Sequence, residues 1–233
     1  MQLANAVVLI TGANRGIGLA FAREALRRGA RRVYAGARDP ASVQLAGVLP
    51  IQIDVTDPEQ VARAARDCGD VTVLINNAGV ANTGGFLEDP TLGSTRWQME
   101  TNFFGILRMA QSFAPVLAAN GGGAMLNVLS IASWINRPLL GAYGATKSAA
   151  WALTNGLRHE LHAQGTQVTA LHMGFVDTDL TRGIAAPKSS AEDVVRLALD
   201  GLEAGATEVL ADEATRQVKQ SLSGASAAYL VAA

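Results

Sequence analysis

From residue 6 to residue 210 the chain alternates short β-branched runs with longer stretches whose apolar residues recur at helical spacing. Expected strands cover 6–11, 32–37, 51–55, 71–76, 124–129, 167–171 and 208–210, and expected helices cover 17–28, 58–67, 94–119, 142–164 and 191–204. Ile17, Ala20, Phe21, Ala25 and Leu26 mark the buried face of the first helix, and Gly29 marks its end. Pro58 sits in the first turn of the second helix. Pro115 is expected to kink the third or end it early, and Gly121-Gly122-Gly123 breaks the chain after it. Strands that are apolar on both faces need cover on both. The pattern therefore predicts a doubly wound α/β fold, a parallel sheet of about seven strands with helices on both faces. The 233 residues carry no linker or internal repeat and read as one domain, 1–233. Loop-like stretches at 79–93 and 174–190 fall at the carboxyl ends of strands, where such a sheet assembles its ligand site.

Composition narrows the function. With 19 Lys+Arg against 20 Asp+Glu the formal net charge is −1, which argues against nucleic acid or a membrane surface as a partner. At 49% hydrophobic and 17% charged residues, the chain is not disordered. Cys68 is the single cysteine, so neither an intrachain disulfide nor a Cys-rich metal site can form. Residues 1–5 lack the basic start of a secretory signal, and no run approaches the roughly 18 apolar residues of a membrane span. A soluble, cytoplasmic protein is the expectation.

Between the first strand and first helix lies Thr11-Gly12-Ala13-Asn14-Arg15-Gly16-Ile17-Gly18. Glycines there allow a tight turn and close backbone approach, while a helix N-terminus offers N–H groups to a pyrophosphate. The Gly-x3-Gly-x-Gly spacing fits neither Gly-x-Gly-x-x-Gly nor a P-loop. Arg38 follows the second strand, where an acidic residue would bind a ribose 2′-hydroxyl and an arginine a 2′-phosphate. Arg15 is in reach of the same phosphate, so the two arginines favour NADP(H) over NAD(H). The other reading is that both face solvent, with Asp39 partly neutralising Arg38.

Tyr143 and Lys147 are four apart on an expected helix and share a face, and Ser130 ends the fifth strand thirteen residues upstream. With the glycine turn at 11–18, Asn76-Asn77-Ala78-Gly79 after the fourth strand and Asn102 in the long helix, the chain resembles the classical short-chain dehydrogenase/reductase family over nearly its whole length. That resemblance implies a Rossmann-type fold and an NADP(H)-dependent oxidoreductase interconverting a ketone or aldehyde with an alcohol. It implies Tyr143 as general acid or base, Ser130 as holder of the substrate oxygen, and Lys147 as partner of the phenol and the nicotinamide ribose. Asn102 would anchor a water-mediated proton path to Lys147. Bringing a phenol from ~10 to about 7 takes roughly 4 kcal/mol, and a lysine ammonium one turn away, with the oxidised nicotinamide's charge, has the right sign to supply it.

The same resemblance places Gly12, Asn14, Arg15, Gly16, Ile17, Gly18 and Arg38 at the cofactor. Asp54 and Val55 would lie at its adenine, Asn77, Ala78 and Gly79 at its ribose, and Val176 and Thr178 at its amide. Met173-Gly174 departs from the family's usual Pro-Gly, releasing a φ restraint and a backbone N–H. A homo-dimer or homo-tetramer is implied, with the Asn102 and Tyr143 helices at the interface. Ala149, Ala150 and Ala152 would permit close packing there.

Other signals carry less. His159 and His162 are three apart rather than four, with no third ligand, so no metal is expected. Ser130 lacks the Gly-x-Ser-x-Gly elbow of a hydrolase. Trp134 and Trp151 are assigned to packing or a subunit interface. Tyr229, Leu230 and Val231 either dock on a pocket or neighbour or fray. Two alternatives stay open: an NAD(H)-linked alcohol dehydrogenase of the same family, and a catalytically silent dinucleotide-binding regulator.

Overall fold

The computed structural model describes residues 1–88 and 92–230, so part of the 79–93 loop and Val231 of the tail lie outside the described residues. Seven strands, β1 (Val7–Thr11), β2 (Arg32–Ala37), β3 (Leu49–Gln52), β4 (Val73–Asn76), β5 (Ala124–Val128), β6 (Gln167–His172) and β7 (Glu208–Leu210), form one parallel sheet in the order 3-2-1-4-5-6-7. The chain winds outward from β1 to β3, then crosses back to set β4 beside β1. Strand order reverses at that point, which opens a crevice at the carboxyl ends of β1 and β4. This is the expected Rossmann-like doubly wound α/β fold.

Side-chain alternation along β1 distributes the core. Val8 and Ile10 pack with Phe21 and Ala25 of α1 (Gly16–Arg27) and Val194 and Leu199 of α6 (Ala191–Glu203). Val7 and Leu9 face the opposite way, onto Val61 of α2 (Pro58–Asp67), Met109, Phe113 and Leu117 of α4 (Gly105–Ala119) and Leu157 of α5 (Gly141–Glu160). Phe21 and Phe113 are fully buried, each contributing about 1.5–3 kcal/mol. Arg28 ties the first of these layers together, reaching Glu24 at 2.8 Å, Glu203 at 2.6 Å and Asp200 at 2.7 Å.

Several element boundaries differ from expectation. The 94–119 stretch is helical throughout, as expected, but not uniformly α: α3 (Gly93–Met99) passes through a π-helical turn, Glu100–Phe104, into α4. Pro115 does not end α4, which runs on to Ala119. The proline ring is exposed, Phe113 and Leu117 on either side are buried, and the stop comes at the glycines. α5 ends at Glu160 rather than 164, because Gly165 at φ +75° turns the chain toward β6. β3 lies two to three residues earlier than its apolar run. A seventh helix, α7 (Glu213–Ser221), was not expected; Asp212 caps it by accepting the Thr215 N–H at 2.8 Å. Ala150 does not face outward for packing against another subunit. It is fully buried with Ile106, Leu129 and Ala170.

Candidate active site

A cleft of about 960 Å³ opens at the switch point, and every site residue singled out from the sequence except Asn102 lines it. Its floor is the glycine turn. Gly12 adopts φ +66°, and a Cβ on Gly18 would lie 2.1 Å from the Gly12 carbonyl oxygen and 2.6 Å from Asn77 Nδ2. Asn77 is the brace: its Nδ2 donates to the carbonyls of Thr11 at 2.9 Å and Gly12 at 3.1 Å. Thr11 Oγ1 accepts the N–H groups of Asn77 and Ala78, both at 3.0 Å. α1 begins at this turn with no side-chain cap and no acidic residue in its first turn. Its N–H groups and partial positive charge are thus left for an anion at the cleft floor, a fit for a dinucleotide pyrophosphate.

Toward β3, Asp54 Oδ1 accepts the N–H and hydroxyl of Thr56 at 2.9 and 2.7 Å, with Val55 alongside in the cleft lining. Arg38 is exposed on the cleft rim. The Asp39 carboxylate accepts the Ala41 N–H at 3.0 Å, capping a short turn at Pro40–Ser42. Asn14 donates to Ser42 Oγ at 3.1 Å. Arg15, 68% exposed, sits 3.5 Å from Asp179 across the cleft, a contact worth only about 0–1 kcal/mol and easily exchanged for a phosphate. Thr178 lies against Gly16 from the opposite wall, and Val176 pairs with Ser189 to pin the base of the 174–190 loop.

Ser130, Tyr143 and Lys147 converge at the other end. Ser130 Oγ accepts the Ala132 N–H at 3.1 Å. Burial pushes the Tyr143 phenol up to about 12, against a hydrogen bond with Ser130 that lowers it. Lys147, 5% exposed, donates to the Val128 carbonyl at 2.9 Å, and its Nζ lies 5.7 Å from the Tyr143 ring centroid. Burial lowers it to about 8. The phenol of the free chain is therefore raised. Desolvation is the larger cause, and the lysine ammonium is itself held by the Val128 carbonyl.

Asn102 stands outside the cleft. Its Oδ1 accepts the Val80 N–H at 2.9 Å, and its two amide hydrogens go to the Val80 carbonyl at 2.8 Å and Thr146 Oγ1 at 2.9 Å. The side chain positions the strip after Gly79, and a Cβ on Gly79 would lie 3.3 Å from Asn102 Oδ1 and 3.8 Å from Lys147 Nζ, so the two polar groups flank the same spot. Among the described residues no three His, Cys, Asp or Glu gather where they could hold a metal ion, and no helix is long and apolar enough to cross a membrane. Trp134 and Trp151 pack edge to face, 6.4 Å apart.

The family model described as short chain dehydrogenase matches residues 6–189. The chain belongs to that family of oxidoreductases. A short-chain dehydrogenase from Burkholderia cenocepacia, solved in complex with NADP, is 39% identical and superposes with a TM-score of 0.93 over 97% of this chain and 95% of its own. Oxidoreductase BOA17 of Botryotinia fuckeliana is 35% identical over 181 residues, 73% of this chain but 65% of that protein. The 1-deoxy-11-beta-hydroxypentalenate dehydrogenase of Streptomyces exfoliatus is 33% identical over 223 residues, 87% of this chain and 81% of its own length.

In this short-chain dehydrogenase two supports escaped the sequence reading. Gly174 N–H donates to Asp212 at 2.7 Å, and the Met173 carbonyl accepts the Ile131 N–H at 2.8 Å, so the turn without its proline is held from α7 and from the Ser130 segment. The Asp-x-x-Thr spacing of Asp212 and Thr215 was the available signal for the first. His172, at the end of β6, escaped that reading as well.

Proposed function

We propose that the protein is an NADP(H)-dependent oxidoreductase that reduces a ketone or aldehyde to the alcohol, with Tyr143 as general acid. The observation that carries this is the meeting, in one cleft, of Ser130, Tyr143 and Lys147 with an uncapped helix N-terminus and two arginines. Gly12, Gly16 and Gly18 would cradle the pyrophosphate, Arg15 and Arg38 the 2′-phosphate, and Lys147 the nicotinamide ribose. When bound, the cofactor supplies the hydride. At neutral pH the raised phenol keeps its proton and Lys147 keeps its charge. That pair suits protonation of an oxygen that is gaining negative charge. Ser130 holds the same oxygen by hydrogen bond. The Burkholderia relative's complex with NADP supports the cofactor assignment.

Ile131, Leu140, Phe175, Leu180 and Ile184 line the same cleft. Such walls favour an apolar carbonyl compound over a polyol, whose hydroxyls would go unpaired. The test is Tyr143→Phe, assayed by NADPH absorbance against a panel of carbonyl compounds. Turnover should fall roughly 10²–10⁴-fold while NADPH binding by calorimetry holds. Retained turnover removes Tyr143 from the mechanism. NADPH binding by the unaltered chain without turnover on any compound would instead favour a regulator.

A further inference from the structure

His172 is fully buried at the carboxyl end of β6 and does not line the cleft. Its Nδ1 lies 3.1 Å from the Ser130 carbonyl oxygen. A carbonyl only accepts, so Nδ1 carries the hydrogen. Burial pushes the imidazole down to about 4, so the ring is the neutral Nδ1–H tautomer. Nε2 then keeps a lone pair with no hydrogen-bond partner among the described residues. Glu208 is 3.8 Å away but engaged by Lys219 at 2.7 Å and by the Trp151 indole at 3.4 Å.

An orphaned buried nitrogen is unfavourable, and an apolar ring of the same size would avoid it. What the imidazole adds is the donor at Nδ1. The ring also stacks on Trp134, 4.0 Å between centroids and 22° from parallel. Trp134 closes the turn that Ser130 opens, its N–H donating to Ile131 at 3.1 Å. His172 thus grips segment 130–134 at both ends. The Ser130 carbonyl accepts a second N–H, from Ser133 at 3.0 Å. Two donors fix that peptide plane, and with the strand side held by the Leu129 N–H on the Leu171 carbonyl at 2.8 Å, the direction of the Ser130 Cα–Cβ bond is restrained from both sides.

We propose that His172 is a positioning residue, whose Nδ1–H locks the Ser130 peptide and thereby aims the hydroxyl that holds the reacting oxygen. The proposal rests on the reading of Ser130 given above. Three variants and one spectrum test it. His172→Phe keeps the ring and loses the donor, and kcat should fall roughly ten- to a hundredfold, with KM for NADPH within about twofold of the parent. His172→Asn places an amide N–H near Nδ1 and should recover most of the loss, whereas His172→Gln, which reaches toward Nε2, should not.

In a Ser130→Ala background His172→Phe should have no further effect on kcat. The protein has three histidines, His159, His162 and His172, so side-chain ¹⁵N spectra of the apoprotein resolve the tautomer directly. An Nε2–H tautomer overturns the proposal. So does the same fold loss with and without Ser130, which is the mark of a merely structural role. If Ser130→Ala is slow and His172→Phe is as fast as the parent, this proposal fails alone. If Ser130→Ala is itself as fast as the parent, the reading of Ser130 fails and takes this one with it.

Discussion

Arg38 and Asp39 are neighbours in the chain with separate tasks, one side chain on the cleft rim and the other spent on capping a turn. Replacing Arg38 by Asp therefore removes the guanidinium without freeing a masked carboxylate. KM for NADPH should rise roughly 10–100-fold, the loss of one or two charge-assisted hydrogen bonds. KM for NADH should change little, and an unchanged cofactor preference would return Arg38 to solvent. At this scale the sequence was informative wherever spacing alone fixes a relation. Tyr143 and Lys147 share a helix face at any burial, and the glycine turn needs its small residues whatever surrounds it. Protonation was not legible. The phenol rises and the ammonium falls because the finished cleft strips both of water, and no window of residues records that. Asn102 was likewise placed in the right region, but its partners, Val80 and Thr146, come from two other segments.

Among the elements, those with strong apolar periodicity were readable to within a few residues, whereas α7 was missed despite its Asp212 cap and those shaped by distant contacts were not readable. The stretch around α3 and α4 shows why. Its apolar spacing is helical throughout, so the wider turn at Glu100–Phe104 leaves no local signature and is fixed by the contacts of Asn102. Pro115 is the opposite case, a loud signal with a small result. Its missing N–H leaves the Gln111 carbonyl without its usual intrahelical donor, at an exposed position near the helix end. Pro115→Ala should restore that bond and contribute about 1 kcal/mol, raising Tm by roughly 2–4 °C in calorimetry. A lower Tm would mean that the proline's restriction of the unfolded chain outweighs the lost bond.

Across the whole molecule the parallel order and two-sided cover followed from composition of the strands, whereas the ties between distant helices did not. Arg28 is the plainest such tie, 10% exposed and bonded to carboxylates from α1 and α6. Arg28→Met keeps the apolar stem but leaves Glu203 without a cation in a half-buried setting and Glu24 with Arg27 alone. Stability should fall by about 2–3 kcal/mol, seen as a Tm lower by roughly 5–10 °C. An unchanged Tm would assign the α1–α6 contact to its apolar residues alone. The π-helical turn bears on the whole chain in another way. It holds one residue more than an α-helical turn would, and each residue rotates a helix by about 100°. The count between Gln98, which takes the Asn82 N–H, and Met109, which enters the core, is therefore a phase setting. Deleting one residue there would leave every side-chain type in place and turn either the cleft wall or the core face away from its partners, so this segment tolerates substitution far better than any change of length.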